Sequence, residues 1–234
     1  MENKLTCVTG YWKVKNKHDN NYIKWFENTI KINCPYIVYG NKETIEEIKK
    51  HRSNLPTYYI EYNIEDFYTN KYKDSMIINC VHCPSVELNM IWNEKIIMIE
   101  NAANINTFNS EFFCWIDAGI CCLRNKPHVI APFPDINKLD KLPKNKFIYS
   151  SSLEYDEKKI LNQTNYHYIS GTSYILHKSL VKTFSELYKK YMEKLINKNN
   201  IWTDQVILTR IFLDNKDLFY KLCDGYGEIV NNLY

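Results

Sequence analysis

No stretch of this chain approaches the roughly 20 consecutive apolar residues of a membrane-spanning helix, so an integral membrane protein is not expected. The opening residues Met1–Leu5 lack the apolar segment of a secretory signal, and the expected location is cytoplasmic. Neither sign of charge dominates: 30 Lys+Arg stand against 27 Asp+Glu, a net +3. That near-balance gives no electrostatic case for a dedicated nucleic-acid binder. Arginine is scarce. Arg52, Arg124 and Arg210 are the only three, so each stands out against the lysines. Internal repeats and low-complexity linkers are missing. So are G-x-G-x-x-G and the P-loop after the first strand-like run, which argues against a dinucleotide site or a P-loop kinase. The single C-x-x-C, Cys80-Val-His-Cys83, has no second pair. The eight cysteines therefore read as reduced thiols rather than zinc ligands or disulfides.

What remains is an ordinary globular composition, 45% hydrophobic and 24% charged over 234 residues. That length supports a core without staples and is read as a single domain over 1–234. Leu5–Gly10 reads as a buried strand, and Tyr22–Ile30 carries apolar residues at helical spacing. Cys34–Gly40 reads as a second strand. Asn41 caps a helix over Glu43–Arg52, and Thr57–Tyr62 follows as a third strand. This β-α-β-α-β order predicts a mainly parallel sheet with helices on both faces.

The run Ser85–Ala103 predicts a helix apolar over most of its circumference, hence buried. Lys95 falls on a face that should be dry. An unpaired buried ammonium is costly, so Lys95 either snorkels or meets a phosphate or carboxylate. The run Phe112–Ile116 predicts a central strand that ends abruptly in Asp117-Ala118-Gly119. In open parallel sheets ligands bind beyond the carboxyl ends of the strands, which places Asp117 at a candidate site. Further strands are expected at Lys146–Ser150, Tyr168–Leu176 and Leu218–Leu222. Ser170-Gly171-Thr172 offers small polar groups suited to a sugar, or a bulge. His177–Leu195 reads as an amphipathic helix. Another opens at Thr203-Asp204-Gln205, with Thr203 as its cap. The turn 223–227 is placed to fold over the site.

Val8-Thr9-Gly10-Tyr11-Trp12, Ile37-Val38-Tyr39-Gly40, His82-Cys83-Pro84-Ser85 leading into Ile91–Lys95, and Phe113–Gly119 together resemble the HtrL/YibB family. That family is similar to nucleotide-sugar glycosyltransferases of the GT-A fold. The resemblance runs from about Leu5 to Leu213 as judged from motif order. It implies a Rossmann-type three-layer α/β/α domain that moves a sugar from a nucleoside-diphosphate sugar, a UDP-sugar, to a hydroxyl acceptor such as a glycan. It also implies roles. Thr9, Gly10, Tyr11, Arg52, Lys95, Asp117, Ala118 and Gly119 would bind the donor, and Gly171 and Thr172 the acceptor or sugar. Asp204 would be the base, and Gln205 would face the anomeric carbon if configuration is retained. Mn²⁺ or Mg²⁺ would bridge Asp117 to the diphosphate, with Asp224 as a late second ligand. The usual Asp-x-Asp is here Asp-Ala-Gly, with one acid missing, and no histidine follows His177. A non-catalytic nucleotide- or sugar-binding module of the same fold is the alternative.

Overall fold

A computed structural model of the chain describes residues 4–18, 21–52, 54–124, 129–163, 166–196 and 203–234. Met1–Asn3, part of the segment read for a leader, lie outside the described residues. The chain starts with β1 (Leu5–Tyr11), α1 (Asn21–Ile30), β2 (Tyr36–Gly40), α2 (Lys42–Arg52) and β3 (Thr57–Glu61). These three strands are parallel neighbours. The helix α3 (Val86–Ile105) carries the chain back across the sheet to β4 (Phe112–Ile116), which pairs with the opposite side of β1, again parallel. Then follow α4 (Ile136–Leu139), β5 (Phe147–Ser151), α5 (Glu157–Asn162), β6 (Ile169–His177), α6 (Lys178–Ile196), α7 (Asp204–Asp214), β7 (Phe219–Asp224) and α8 (Glu228–Leu233). The seven strands form one sheet in the order β3-β2-β1-β4-β6-β5-β7. Only β6 runs against the rest, pairing antiparallel with both β4 and β5.

Alternation along the central strand explains the layering. Phe113 and Trp115 of β4 point into one apolar cluster, shared with Met98 and Ile99 of α3, Phe184 of α6 and Ile207 of α7. Phe112, Cys114 and Ile116 point into the other, with Phe26 of α1, Ile48 of α2 and Ile229 of α8. Helices thus cover both faces, which is why β4 is apolar at every position.

Local signals start the helices where the sequence suggests. Asn41 Oδ1 accepts the Thr44 N–H at 2.9 Å, and Ser85 Oγ accepts the Leu88 N–H at 3.2 Å. Thr203 Oγ1 accepts the Gln205 N–H at 3.4 Å. α3 ends at Asn106, whose φ of 41° is one of the few left-handed values a non-glycine residue tolerates. α3 is buried on the far side too, because the chain between β3 and α3 wraps over it. There Glu94 accepts hydrogen bonds from the Tyr62 hydroxyl (2.9 Å) and the Tyr68 and Thr69 N–H groups (3.0 and 2.9 Å). That clamp leaves the next residue, Lys95, facing the ends of β4 and β6. Among the described residues no helix is long and apolar enough to cross a membrane.

Candidate active site

The connections out of β1 diverge: the chain goes to β2 on one side and returns through α3 to β4 on the other. The crevice beyond the carboxyl ends of β1 and β4 is therefore the switch point of the sheet, where ligands of open α/β folds bind. Asp117 stands there, immediately after β4. Because β6 runs antiparallel, its first residues lie beside the last residues of β4, and the Asp117 N–H donates to the Thr172 carbonyl at 2.9 Å. The start of α7 covers the same place. Gln205 Oε1 accepts the Gly171 N–H at 3.0 Å, and Thr209 Oγ1 accepts those of Tyr168 and Ile169 at 2.9 and 3.2 Å. Side chains of α7 thus satisfy backbone groups that β6 leaves open, which fixes Asp204 against Gly171. A Cβ on Gly171 would sit 2.6 Å from Asp204 Oδ2, so only glycine permits this approach.

Lys95 joins these parts. Its Nζ lies 2.9 Å from Asp117 Oδ1 and 3.1 Å from Asp204 Oδ2, and donates to the Gly171 carbonyl at 3.0 Å. Of these three contacts the one to the Gly171 carbonyl has hydrogen-bond geometry, and the two carboxylates are held as ion pairs. Trp115 Nε1 adds a hydrogen bond to Asp117 Oδ1 at 2.6 Å, and Thr203 Oγ1 one to Asp204 Oδ1 at 3.0 Å. Lys95 and Asp204 are almost fully buried, whereas the Asp117 side chain is 24% exposed. Burial works against the Lys95 charge, but the two carboxylates outweigh it and hold the ammonium above its ordinary pKa. Burial raises the Asp204 carboxyl; Lys95 opposes the shift and Asp117 reinforces it. With both carboxyls ionised the triad carries a formal net −1: two fixed carboxylates share one ammonium at the cleft wall, one partly exposed and one buried with raised proton affinity.

The cleft in front of the triad holds about 500 Å³ and is also lined by Gly119, Thr172, Gln205, Trp92, Tyr22 and Tyr226. A smaller aromatic recess adjoins it, walled by Gly10, Tyr11, Trp12, Trp92, Trp115 and Ala118. Tyr22 closes over Gly119, where a Cβ would meet the ring at 2.7 Å. Burial and the nearby Asp117 push its hydroxyl up to about 12. His167, on the far wall, is pushed down to about 4 by burial and is neutral at pH 7.

With that geometry in view, a family model described as "bacterial protein of unknown function (HtrL_YibB)" matches residues 57–230, most of the chain. The chain belongs to the HtrL/YibB family. No curated protein matches it. The matched span of this HtrL/YibB chain contains Lys95, Asp117, Gly171 and Asp204. It starts at β3, later than the motif order suggests, and runs past Leu213 to α8.

Ten of the thirteen residues expected at the site are therefore brought together: Gly10, Tyr11, Lys95, Asp117, Ala118, Gly119, Gly171, Thr172, Asp204 and Gln205. Three are not. Thr9 is fully buried inside β1 and lines neither cavity. Arg52 is buried at the opposite end of the sheet, where β2 begins. It donates to the Ile30 and Ile32 carbonyls at 2.6 and 2.8 Å, to that of Cys34, and to Thr57 Oγ1 at 2.7 Å. It is a strut for chain turns and is out of reach of a ligand in the cleft. Asp224 ends β7, three strands from β4, or about 14 Å at ordinary strand spacing. Its exposed carboxylate takes Ser151 and Lys221 instead.

The displacement of Asp224 bears on the metal. Asp117 and Asp204 already share one ammonium. Among the described residues no group of three or more His, Cys, Asp or Glu side chains converges to hold an ion. The protein alone therefore offers no closed cage for Mn²⁺ or Mg²⁺; an ion here would be held by one or two carboxylates and would take its remaining oxygens from a phosphate ligand and water. Lys95 is already paired with both carboxylates and hydrogen-bonded to the Gly171 carbonyl, which makes it a positioning residue for the two acids. Sequence reasoning missed Tyr22, Trp92 and Arg124 as cleft walls, whereas the turn 223–227, expected over the site, brings Tyr226 to the cleft. Tyr22 was absorbed into the apolar pattern of α1, and of the three only Arg124 carried a signal, its rarity.

Proposed function

We propose that this HtrL/YibB chain is a glycosyltransferase of GT-A type. It transfers a sugar from a nucleoside-diphosphate sugar, a UDP-sugar, to a hydroxyl of a glycan-like acceptor. The observation that carries the reading is the pairing of Asp117 and Asp204 on Lys95, at the switch point of the sheet and facing a cleft of about 500 Å³. A cleft of that size is in the range used for small-molecule ligands. In this reading the nucleobase packs in the aromatic recess beside Gly10 and Tyr11, and the sugar lies over Asp117, Gly171 and Thr172.

The bond between the anomeric carbon and the diphosphate breaks, and its electron pair leaves with the diphosphate. Positive charge builds on the sugar carbon, next to a triad with net −1, which favours that state electrostatically. The acceptor oxygen forms the new bond, and its proton passes to Asp204. The raised pKa of this carboxyl brings it nearer the working range of a general base. Gln205 Oε1 is committed to Gly171, so its NH₂ group is what remains for a sugar hydroxyl.

The test is a panel of nucleotide sugars incubated with the purified protein, reading nucleoside diphosphate release with and without oligosaccharide acceptors. Release from a UDP-sugar supports the proposal. Tight binding without turnover favours a carbohydrate-binding module, and no binding by any donor rejects both.

A further inference from the structure

The cleft holds two cations that the acid pair does not neutralise, Arg124 and Lys17. With Lys95 balanced inside a triad of net −1, these two turn the lining positive. Arg124 is held in place from one side only. Its Nε donates to the Gly119 carbonyl at 2.8 Å, and its guanidinium stacks 4.0 Å over the Trp25 ring. Trp25 in turn packs edge-on against Tyr22 and His18, so the platform is rigid. Neither contact uses the two terminal amino groups of the guanidinium. Among the described residues neither Arg124 nor Lys17 has a carboxylate partner, although the surface carries many acids. Arg124 lies five residues beyond Gly119 and lines the same cleft as Asp117. A guanidinium fork with both terminal groups free matches two phosphate oxygens, and an exposed lysine adds a point charge.

We propose that Arg124 and Lys17 form a diphosphate-binding wall that does the charge neutralisation a divalent cation would otherwise supply. The inference deepens the transferase reading and rests on it for the identity of the natural ligand. The wall itself requires only a pyrophosphate group. Negative charge on a departing diphosphate would be met by the two side chains, with the aromatic platform excluding water from one side of the guanidinium.

Calorimetric titration with inorganic pyrophosphate, UDP and UMP, first in EDTA and then with Mn²⁺, tests this. Pyrophosphate and UDP should bind in EDTA, UDP more tightly than UMP, and Mn²⁺ should change the UDP affinity by no more than about threefold, under 1 kcal/mol. Arg124→Gln should weaken both diphosphates by roughly 10–100-fold, as expected for charged hydrogen bonds worth about 1.5–3 kcal/mol. Lys17→Gln, at an exposed position with no ion pair among the described residues, should weaken them several-fold and serves if Arg124→Gln fails to fold. Binding of UDP only when Mn²⁺ is present would overturn the proposal. So would wild-type affinities in both variants. The two readings fail separately. Pyrophosphate binding that depends on Arg124, with no donor ever turned over, sinks the transferase and leaves the wall. Donor turnover that needs Mn²⁺ and ignores both substitutions does the reverse.

Discussion

Replacing Lys95 by methionine removes the one positive charge between two carboxylates and keeps the apolar stem. Asp117 Oδ1 and Asp204 Oδ2 lie 2.9 and 3.1 Å from the same nitrogen. Without the ammonium, Asp204 keeps Thr203 alone as a side-chain donor among the described residues, and Asp117 keeps Trp115 and some exposure to solvent. Breaking a buried ion pair by removing one partner costs about 3–5 kcal/mol. For a chain of this size about 2–4 °C accompanies each kcal/mol, so the melting temperature at pH 7 should fall by roughly 6–20 °C. The loss should depend on pH. Lys95 is what restrains the Asp204 pKa, so its removal raises that pKa further. A carboxyl whose folded-state pKa exceeds its unfolded value binds more protons folded than unfolded. Its destabilisation therefore grows as pH rises through that window and is relieved as pH falls. Differential scanning calorimetry between about pH 4, the ordinary carboxyl range, and about pH 7 would show the deficit of Lys95→Met shrinking toward the acid end. Adding Asp204→Asn should restore most of the loss at neutral pH, since a neutral amide needs no counter-charge. A single variant that melts within about 2 °C of wild type, under 1 kcal/mol, refutes the claim that the triad is a buried charge cluster. So does a double variant less stable than the single one.

Gly171→Ala should force the new methyl against Asp204 Oδ2 and Gln205 Cγ, at 2.6 and 2.8 Å in the present geometry. The expected cost is about 1–3 kcal/mol of stability, with loss of donor turnover beyond what the melting shift explains; a variant active at the wild-type rate would show that Asp204 need not hold its position. Arg52→Met should destabilise by on the order of 3 kcal/mol, because several buried carbonyls lose their donor, while the UDP dissociation constant measured by calorimetry stays unchanged. A selective loss of UDP affinity there would return Arg52 to the ligand site.

The fold was legible because its signals are local and redundant. The uninterrupted Phe112–Ile116 run could only be a strand covered on both faces, and the caps at Asn41, Ser85 and Thr203 fix where α2, α3 and α7 begin. The reversal of β6 was not legible, since an antiparallel and a parallel buried strand carry the same residues. That reversal is what sets Gly171 and Thr172 beside Asp117. The requirement that Lys95 find an anion followed from burial alone. That its partners are two acids, one just past β4 and one at the start of α7, depends on three elements meeting in space. Arg52 misled for a related reason: a rare arginine at a helix end reads as a ligand-binding charge, yet the unsatisfied carbonyls around Ile30, Ile32 and Cys34 claim it. Asp224 was placed by its lateness in the chain, which says nothing of the three strands that separate it from β4.

In the proposed reaction Asp117 and Asp204 do chemistry in the cleft and do not merely balance Lys95. The most direct measurement is nucleoside diphosphate release from the best donor of the panel, compared between wild type and Asp204→Asn at matched folded fractions. The side chain keeps its shape and loses its proton affinity, so UDP binding should persist while the rate falls by about 10²–10⁴. Release at the wild-type rate by Asp204→Asn would contradict the mechanism and leave the triad a structural device.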